Sequence, residues 1–362
     1  MRSPRKVELA LTGRCNLRCV YCFHFDSAAD VPEDLPAGEW LRFFEELTAA
    51  GVLEATLSGG EAFVRKDFKE LVEGVVRNRM RFSLLSNGTL ITDDAARFLA
   101  STKRCNSVQV SIDGPTGEVH DLNCGKGSFE RAVRGLQALQ RHGINRTVRL
   151  TITRSNYRHL EEAARILLED LGLRSFSTNS ACPFGMTRRD RDAIMLGPGE
   201  LAEAMAAHRR IIERYGPRVS AQAGPLSCFR HWRRLEELAR EKAPPKPGGG
   251  YLTSCGGVFG KMAVRADGVM TPCTQLPHIE LGRINRDGLV EVWRHHPELK
   301  RLRDRRRIPL SDFDYCRDCE FMPYCRGGCP ANAHELTGDE NRPVHSPDSC
   351  YRKFREMGGE VP

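Results

Sequence analysis

Cys15-Asn16-Leu17-Arg18-Cys19-Val20-Tyr21-Cys22, residues 15–22, follows a short apolar strand-like run and precedes the aromatic Phe23. Three thiolates spaced C-x3-C-x2-C, with no fourth Cys nearby, can hold three irons of a cubane iron–sulfur cluster and leave one iron open. A zinc knot is the competing use of such cysteines. Zinc normally takes four ligands, however, and in the first fifty residues only His24 would complete the set.

Outward from this loop the chain alternates strand-like and helix-like segments. Strands are expected at 7–12, 54–57, 82–85, 108–112, 147–152 and 176–178, and helices at 40–50, 68–77, 92–100, 128–142 and 157–171. Thr92 and Ser128 are the expected caps of their helices, and Gly143 a helix end. Six strand–helix repeats imply an α/β fold with a parallel sheet and right-handed crossovers, its active groups at the C-terminal strand ends. Ser58-Gly59-Gly60-Glu61-Ala62-Phe63 falls at such an end. Its glycines let the backbone approach a ligand, and Glu61 offers a carboxylate to an amine.

In these residues the sequence resembles the radical S-adenosylmethionine (SAM) superfamily, whose fingerprint is CxxxCxxC with an aromatic or apolar residue, here Tyr21, before the last Cys. The resemblance implies a partial (β/α)6 TIM-type barrel and a [4Fe-4S] cluster on Cys15, Cys19 and Cys22. Its open iron would chelate SAM, and one-electron reduction would release a 5′-deoxyadenosyl radical. It implies also that Gly59, Gly60 and Glu61 bind the methionyl amine; the family usually has Pro where Ala62 stands. Asn87, Ser111 and Asp113, at the ends of the third and fourth strands, are candidates for the ribose or adenine, although Asn-Gly and Asp-Gly also form plain turns. Ser111 to Pro115, His120–Asp121 and Gly127 to Phe129 look like the SPASM-containing branch. Members often carry Arg shortly after the His-Asp pair; here Leu122, Asn123 and Cys124 follow, and Arg149 is the candidate to replace it. Cys182, beyond the sixth strand, reads as a substrate-side thiol or radical quencher, or as a small buried Cys.

The last third holds seven cysteines as C-x12-G-x4-C, then C-x2-C-x5-C-x3-C, then C. This matches the SPASM pattern, with hairpin strands expected at 262–266 and 269–271. By resemblance Cys255, Cys273 and Cys329 would hold an inner auxiliary cluster, and Cys316, Cys319, Cys325 and Cys350 an outer one. The inner set counts three thiolates for four irons. It is therefore open to a substrate thiolate, completed by a non-Cys or distant ligand such as Cys228, or a smaller cluster. Two zinc ribbons, structural or nucleic-acid binding, are the other reading of the tail.

The chain has 362 residues, 14 cysteines and a net charge of +8. Its mean hydropathy is −0.44. Clustered cysteines without a secretory signal, and no apolar run long enough for a membrane span, point to a cytoplasmic, reducing compartment. We expect a barrel over 1–200, a helical bridge and linker over 201–250 with Ala243 to Gly250 as the breaker-rich joint, and an auxiliary-cluster domain over 251–362. The basic run Lys300 to Arg307 reads as a solvated helix face or as a dock for an acidic leader or redox partner.

SPASM relatives act mainly on peptides and proteins. The expected function is maturation of a ribosomally made peptide through a thioether or other side-chain crosslink. The expected partners are the peptide, an electron donor such as flavodoxin or ferredoxin, and a separate leader-recognition protein, since no amino-terminal recognition domain is evident. A sulfatase-maturating, formylglycine-forming enzyme is the alternative. Those enzymes carry a basic Asp after the Cys corresponding to Cys273, where this chain has Thr274. A non-catalytic zinc or electron-transfer module is the reading from another class.

Overall fold

The computed structural model describes residues 2–25, 33–253 and 256–362. The six expected strands are β1 (Lys6–Ala10), β2 (Glu54–Ser58), β3 (Arg81–Ser86), β4 (Cys105–Ser111), β5 (Arg146–Ile152) and β6 (Phe176–Ser180). Each pairs in parallel with the next in chain order. Unbroken order is what successive right-handed crossovers on one side of a sheet produce, and it makes a barrel wall.

Side-chain alternation decides which face the helices take. Val7, Leu57, Phe82, Leu84, Val108 and Val110 are completely buried. The residues between them include Thr56, Ser83, Gln109 and Arg149. With a period of two, the sheet has an apolar face under helices and a polar face lining the barrel interior. The apolar side is covered by α1 (Ala37–Ala49), α2 (Phe68–Arg77), α3 (Asp93–Ser101), α5 (Ser128–Arg141) and α6 (Leu160–Arg165), with the short α4 (Gly117–Cys124) at the mouth. In α1 the buried residues are Trp40, Phe43, Phe44 and Leu47, spaced i, i+3, i+4, i+7. In α2 Phe68, Leu71, Val72 and Val75 repeat that spacing. Each such side chain contributes about 1.5–3 kcal/mol on burial.

Local structure departs from expectation in two helices. Thr92 does cap α3, accepting from Ala95 N, but Ser128 does not cap α5. The capping acceptor is Asp121, whose carboxylate takes Phe129 N and Ser128 Oγ at 3.0 Å and also Gly127 N. A carboxylate at that end faces the positive pole of the helix. The segment 157–171 is a 3-10 turn, then α6, then a π turn at Ile166–Asp170 rather than one α-helix. The wider turn lets the adjacent Leu167 and Leu168 both bury.

The larger departure concerns the sheet. After α7 (Arg191–Ile194) and α8 (Pro198–Tyr215), β7 (Val219–Ala221) adds in parallel to β6, and α9 (Pro225–Arg240) follows. In the tail, β8 (Lys261–Val264) pairs in parallel with β1, β9 (Val269–Thr271) pairs antiparallel with β8, and β10 (Gly282–Arg283) with β9. One ten-stranded sheet results, ordered β10-β9-β8-β1-β2-β3-β4-β5-β6-β7. The six expected strands β1–β6 stand contiguous in its middle, flanked by β7 on one side and by β8, β9 and β10 of the tail on the other. Backbone groups of β1 that would lie bare at an edge find partners in β8. The bridge has a task of its own: Leu201 and Met205 of α8 and Trp232 of α9 share a core with Phe321, Tyr351 and Phe354 of the tail.

Candidate active site and cluster-binding loops

The loop 15–22 lies across the C-terminal ends of the barrel strands, tied to several at once. Gly60 N and Glu61 N, after β2, donate to Thr12 O (2.8 Å) and Arg14 O (2.9 Å). After β3, Asn87 Nδ2 reaches Asn16 Oδ1 at 2.9 Å and Cys15 Sγ at 3.7 Å. Val20 N donates to Asn123 O in α4, and Met186 N, beyond β6, to Cys22 O, both at 2.9 Å. The glycines let the loop pack closely. A Cβ on Gly60 would stand 2.3 Å from Arg14 O and 3.0 Å from Cys15 Cβ, and one on Gly59 2.5 Å from Thr12 O.

Glu61 is wholly buried. Its carboxylate accepts from Ser86 Oγ (3.0 Å), Asn87 N (2.7 Å) and Phe63 N (3.2 Å). Burial raises its pKa to about 7, against those hydrogen bonds. It joins the ends of β2 and β3.

Asp113 likewise faces inward. Its Oδ1 accepts from Thr151 N at 2.7 Å, while Oδ2 accepts from the Tyr21 hydroxyl and, at 3.2 Å, from the Cys124 thiol. It is completely buried, and both of its oxygens are engaged, one of them by the cysteine loop. Cys124 stands where an Arg was expected; it lies against Cys19, and burial with that contact drives its pKa up. Asp113 N donates to His120 Nδ1 at 2.9 Å, and Asn156 Nδ2 to Asp113 O at 2.8 Å. The SIDGP, His-Asp and Gly-Ser-Phe pieces are thus one hydrogen-bonded assembly: His120 and Asn156 fix the end of β4, and Asp121 caps α5. Asn156 and Tyr21 were not expected in these roles. Nor was Asp34, which accepts from Thr12 Oγ1, Gly13 N and Arg14 Nε. Polar bonds across the fold leave no periodicity to read.

Inside the barrel, Ser111 pairs in register with Arg149, Arg149 with Ser177, and Thr151 with Asn179. The Arg149 guanidinium meets Gln109 Oε1 at 3.3 Å. Arg149 Nε and Asn179 Oδ1 are buried without a hydrogen-bond partner. Orphaned polar atoms on a barrel wall are costly unless a ligand completes them. A donor and an acceptor below an iron-binding loop suit a polar cosubstrate such as SAM.

In the tail, Cys316, Cys319, Cys325 and Cys350 line one cavity with Leu235, Phe321 and Tyr351. Gly327 N lies 3.4 Å from Cys325 Sγ, as Leu17 N does from Cys15 Sγ. Backbone N–H groups aimed at sulfur are a cluster-binding feature. Zinc bound by thiolates at about 2.3 Å would draw the sulfurs to about 3.8 Å of one another. Cys255 lies outside the described residues. Cys273 follows β9, and Cys329 precedes the helix Pro330–Thr337. Cys228 belongs to the second core, with Trp232 and Tyr351, and its thiol donates to Asp348 O at 3.2 Å. Gln275 Nε2 lies 3.7 Å from Cys182 Sγ, and Gln275 N lies 3.5 Å from Cys273 Sγ.

The basic run is largely spent inside the protein. Arg305 is fully buried. Arg303 stacks on Trp293 and donates to Val258 O and Trp293 O, and Arg301 pairs with Glu298 and Glu340. Lys300, Arg306 and Arg307 remain exposed, Lys300 and Arg307 beside Asp304 and Arg306 over the Phe259 ring. The solvated part of the run is those three residues.

A barrel of parallel strands, a three-cysteine loop across its mouth and a cysteine-rich tail joined to its sheet define a SAM-dependent iron–sulfur enzyme. The chain belongs to the radical SAM superfamily. The model of that superfamily matches residues 9–167, and that of an iron-sulfur cluster-binding domain, SPASM, residues 255–320. The chain is 30% identical to the mycofactocin maturase MftC of Mycobacterium tuberculosis, covering 98% of this chain and 84% of that one. It is 28% identical to the PqqA peptide cyclase of Ruegeria pomeroyi, over 97% and 88%. It is 27% identical to the AdoMet-dependent heme synthase of Methanosarcina barkeri, over 93% and 94%. Streptococcus suis SuiB, solved with its precursor peptide SuiA, shares the fold at a TM-score of 0.70 and 16% identity, over 94% of this chain and 75% of that one. So does anSMEcpe with AdoMet and a Cys peptide, at 0.70 and 19%, over 98% and 97%. Among the described residues no helix is long and apolar enough to cross a membrane. Membership of the radical SAM superfamily, with peptide-modifying enzymes among the relatives, sets aside the reading as a non-catalytic module.

Proposed function

We propose that this enzyme matures a peptide, using auxiliary clusters in the tail to complete an oxidation begun at the barrel mouth. One observation carries the reading. A cavity of about 220 Å³ is bounded on one side by Thr12 and Phe23 of the cysteine loop and on the other by Ala263, Thr271 and Thr274 of the tail. A side chain entering it meets the residue after Cys22 and the residue after Cys273 together. Cys15, Cys19 and Cys22 would hold the cluster, which would supply the one-electron reduction of SAM needed to start hydrogen abstraction from the substrate. Arg149, Ser111 and Asn179 would hold the cosubstrate from the barrel wall, Glu61, Asn87 and the two glycines would fix the loop above it, and Asp113 would anchor Tyr21.

Relatives that include a peptide cyclase, and a shared fold seen with a precursor peptide, support a peptide as the substrate. A crosslink needs removal of two electrons and two protons from the peptide: one of each would leave as the abstracted hydrogen atom, the second proton would go to solvent, and the second electron would need an acceptor such as an auxiliary cluster that Cys316, Cys319, Cys325 and Cys350 would hold. The formylglycine alternative is less well served, because the hydroxyl of Thr274 cannot act as the carboxylate base that chemistry uses. The heme-synthase relative keeps a tetrapyrrole as the second reading. A ferredoxin or flavodoxin would deliver the first electron, and a separate protein would present the leader. Every described cysteine is a free thiol, which suits the reducing cytoplasm.

The test compares 5′-deoxyadenosine formation by reduced, anaerobic protein with SAM alone, with synthetic Cys-containing and Cys-free peptides, and with a tetrapyrrole. Stimulation by peptides, with loss of two hydrogens from the peptide mass, supports maturation. Stimulation by the tetrapyrrole alone replaces it with the second reading.

A further inference from the structure

Outside its cysteine motifs the tail gathers two imidazoles and a carboxylate. His278 stands in a turn between β9 and β10, His334 in the helix Pro330–Thr337, and Glu340 just beyond that helix. The two imidazole rings stack, with centroids 3.8 Å apart and planes 16° from parallel. Side by side, they set His278 Nε2 2.8 Å and His334 Nδ1 3.0 Å from one and the same oxygen, Glu340 Oε1. The other carboxylate oxygen takes Arg301 Nη2, from the helix Pro297–Asp304, at 3.1 Å. Glu340 is buried, whereas His278 is exposed, so the set opens to solvent on one side.

We propose that His278, His334 and Glu340 bind a divalent transition-metal ion, Zn2+, with a fourth position left to water. Two imidazoles and one carboxylate are a donor set that zinc takes. The three ligand atoms lie within 4.8 Å of one another. Zinc bonds of about 2.0–2.2 Å at the tetrahedral angle place their atoms about 3.4 Å apart, so the carboxylate oxygen has to draw back by about half an ångström to admit the ion. Arg301, on the oxygen that does not face the rings, is placed to orient the carboxylate as an outer partner does. The competing reading is a hydrogen-bonded network with no ion. It accounts for His278 but leaves His334 Nδ1 buried without a hydrogen bond, although the carboxylate oxygen is close. A buried nitrogen left over in that way is costly, and a metal ion is the partner that would satisfy it together with its two neighbours. Binding would displace any proton held between a ring nitrogen and the carboxylate. The role is structural. One ion would tie the turn after β9 to the helix Pro330–Thr337, and with them Cys273 and Cys329, each five positions before a histidine of the set.

The test uses the untagged full chain with its iron–sulfur clusters filled, so that their cysteines are not free to take zinc, dialysed anaerobically against Zn2+ alone. Wild type is expected to hold about one zinc per chain with its iron content unchanged. His278→Ala and Glu340→Gln should each weaken zinc binding by about tenfold or more. Because His278 is exposed and Glu340→Gln keeps the shape of the side chain, both variants should keep the iron content and the zinc-free Tm of wild type. Zinc should raise the Tm of wild type and not that of the variants, since it binds only the folded set. X-ray absorption at the zinc edge should show nitrogen and oxygen at about 2.0–2.2 Å and no sulfur at about 2.3 Å. Equal zinc in wild type and both variants overturns the assignment, as does a sulfur shell or zinc gained only as iron is lost. The same holds if neither protein takes zinc, which would return the set to a hydrogen-bonded network.

Discussion

The hydroxyl of Tyr21, one residue before the last cysteine of the opening loop, donates to Asp113 Oδ2 at the end of β4. That bond turns a buried carboxylate into an anchor for an iron-binding loop. Tyr21→Phe should cost about 1.5–3 kcal/mol, as for a hydrogen bond to a charged group, and should speed iron loss in air several-fold. Time courses of iron retention test this. A variant that keeps its iron as long as wild type would show that Asp113 is no tether.

Gly60→Ala places a methyl group against Arg14 O and Cys15 Cβ, atoms of the loop backbone and of a ligand itself. Overpacking of that kind costs about 1–3 kcal/mol, here concentrated on the cysteine loop. The variant should lose about four irons per chain while the tail keeps its own. Iron analysis with EPR decides the matter, and uniform loss from all sites would mean a global defect instead.

The parallel wall was legible because its signals are periodic: Val7, Leu9, Leu57, Phe82 and Leu84 alternate with polar neighbours, and α1 and α2 carry apolar residues at helical spacing. The cysteine loops were legible because ligand spacing is written directly in the chain. What escaped was long-range pairing. Nothing in Lys261–Val264 says that it will lie beside β1 and lengthen the barrel wall, since a short strand fits any edge that needs partners. Asp113 and Glu61 stood at expected positions, but their partners could not be read, because which way a carboxylate points depends on donors far away in sequence, Thr151 and Tyr21 for one, Ser86 and Asn87 for the other.

His120 makes stability sensitive to pH in a defined direction. Burial holds its imidazole below the ordinary value, and Nδ1 must be unprotonated to accept from Asp113 N. Unfolding therefore takes up a proton as pH falls through about 6.5, the value in the unfolded chain. The stability it contributes is present above that pH and is lost below it. His120→Asn, whose Oδ1 can accept without titrating, should show a smaller fall in Tm between pH 7.5 and 5.5, in an order of magnitude set by one proton. Equal slopes in the two proteins would remove His120 from the account.

Arg149 is the residue whose removal should separate cosubstrate binding from cluster assembly. Its guanidinium makes one long contact, to Gln109, and leaves Nε unpartnered inside the barrel. Arg149→Leu accordingly sacrifices little of the fold and relieves the desolvation that lowers the pKa of the buried guanidinium. If the free donor meets SAM, losing a charged hydrogen bond of about 1.5–3 kcal/mol weakens SAM binding by roughly ten- to hundredfold. Iron content and the EPR of the reduced clusters should not change, because no cysteine loop touches this wall through Arg149. Equilibrium dialysis with labelled SAM on the anaerobic protein gives the affinity, and 5′-deoxyadenosine formation at saturating SAM shows whether turnover recovers. Full recovery would make Arg149 a binding residue only, whereas unaltered affinity would return it to the barrel wall as a solvated strand residue and leave Asn179 and Ser111 to hold the cosubstrate.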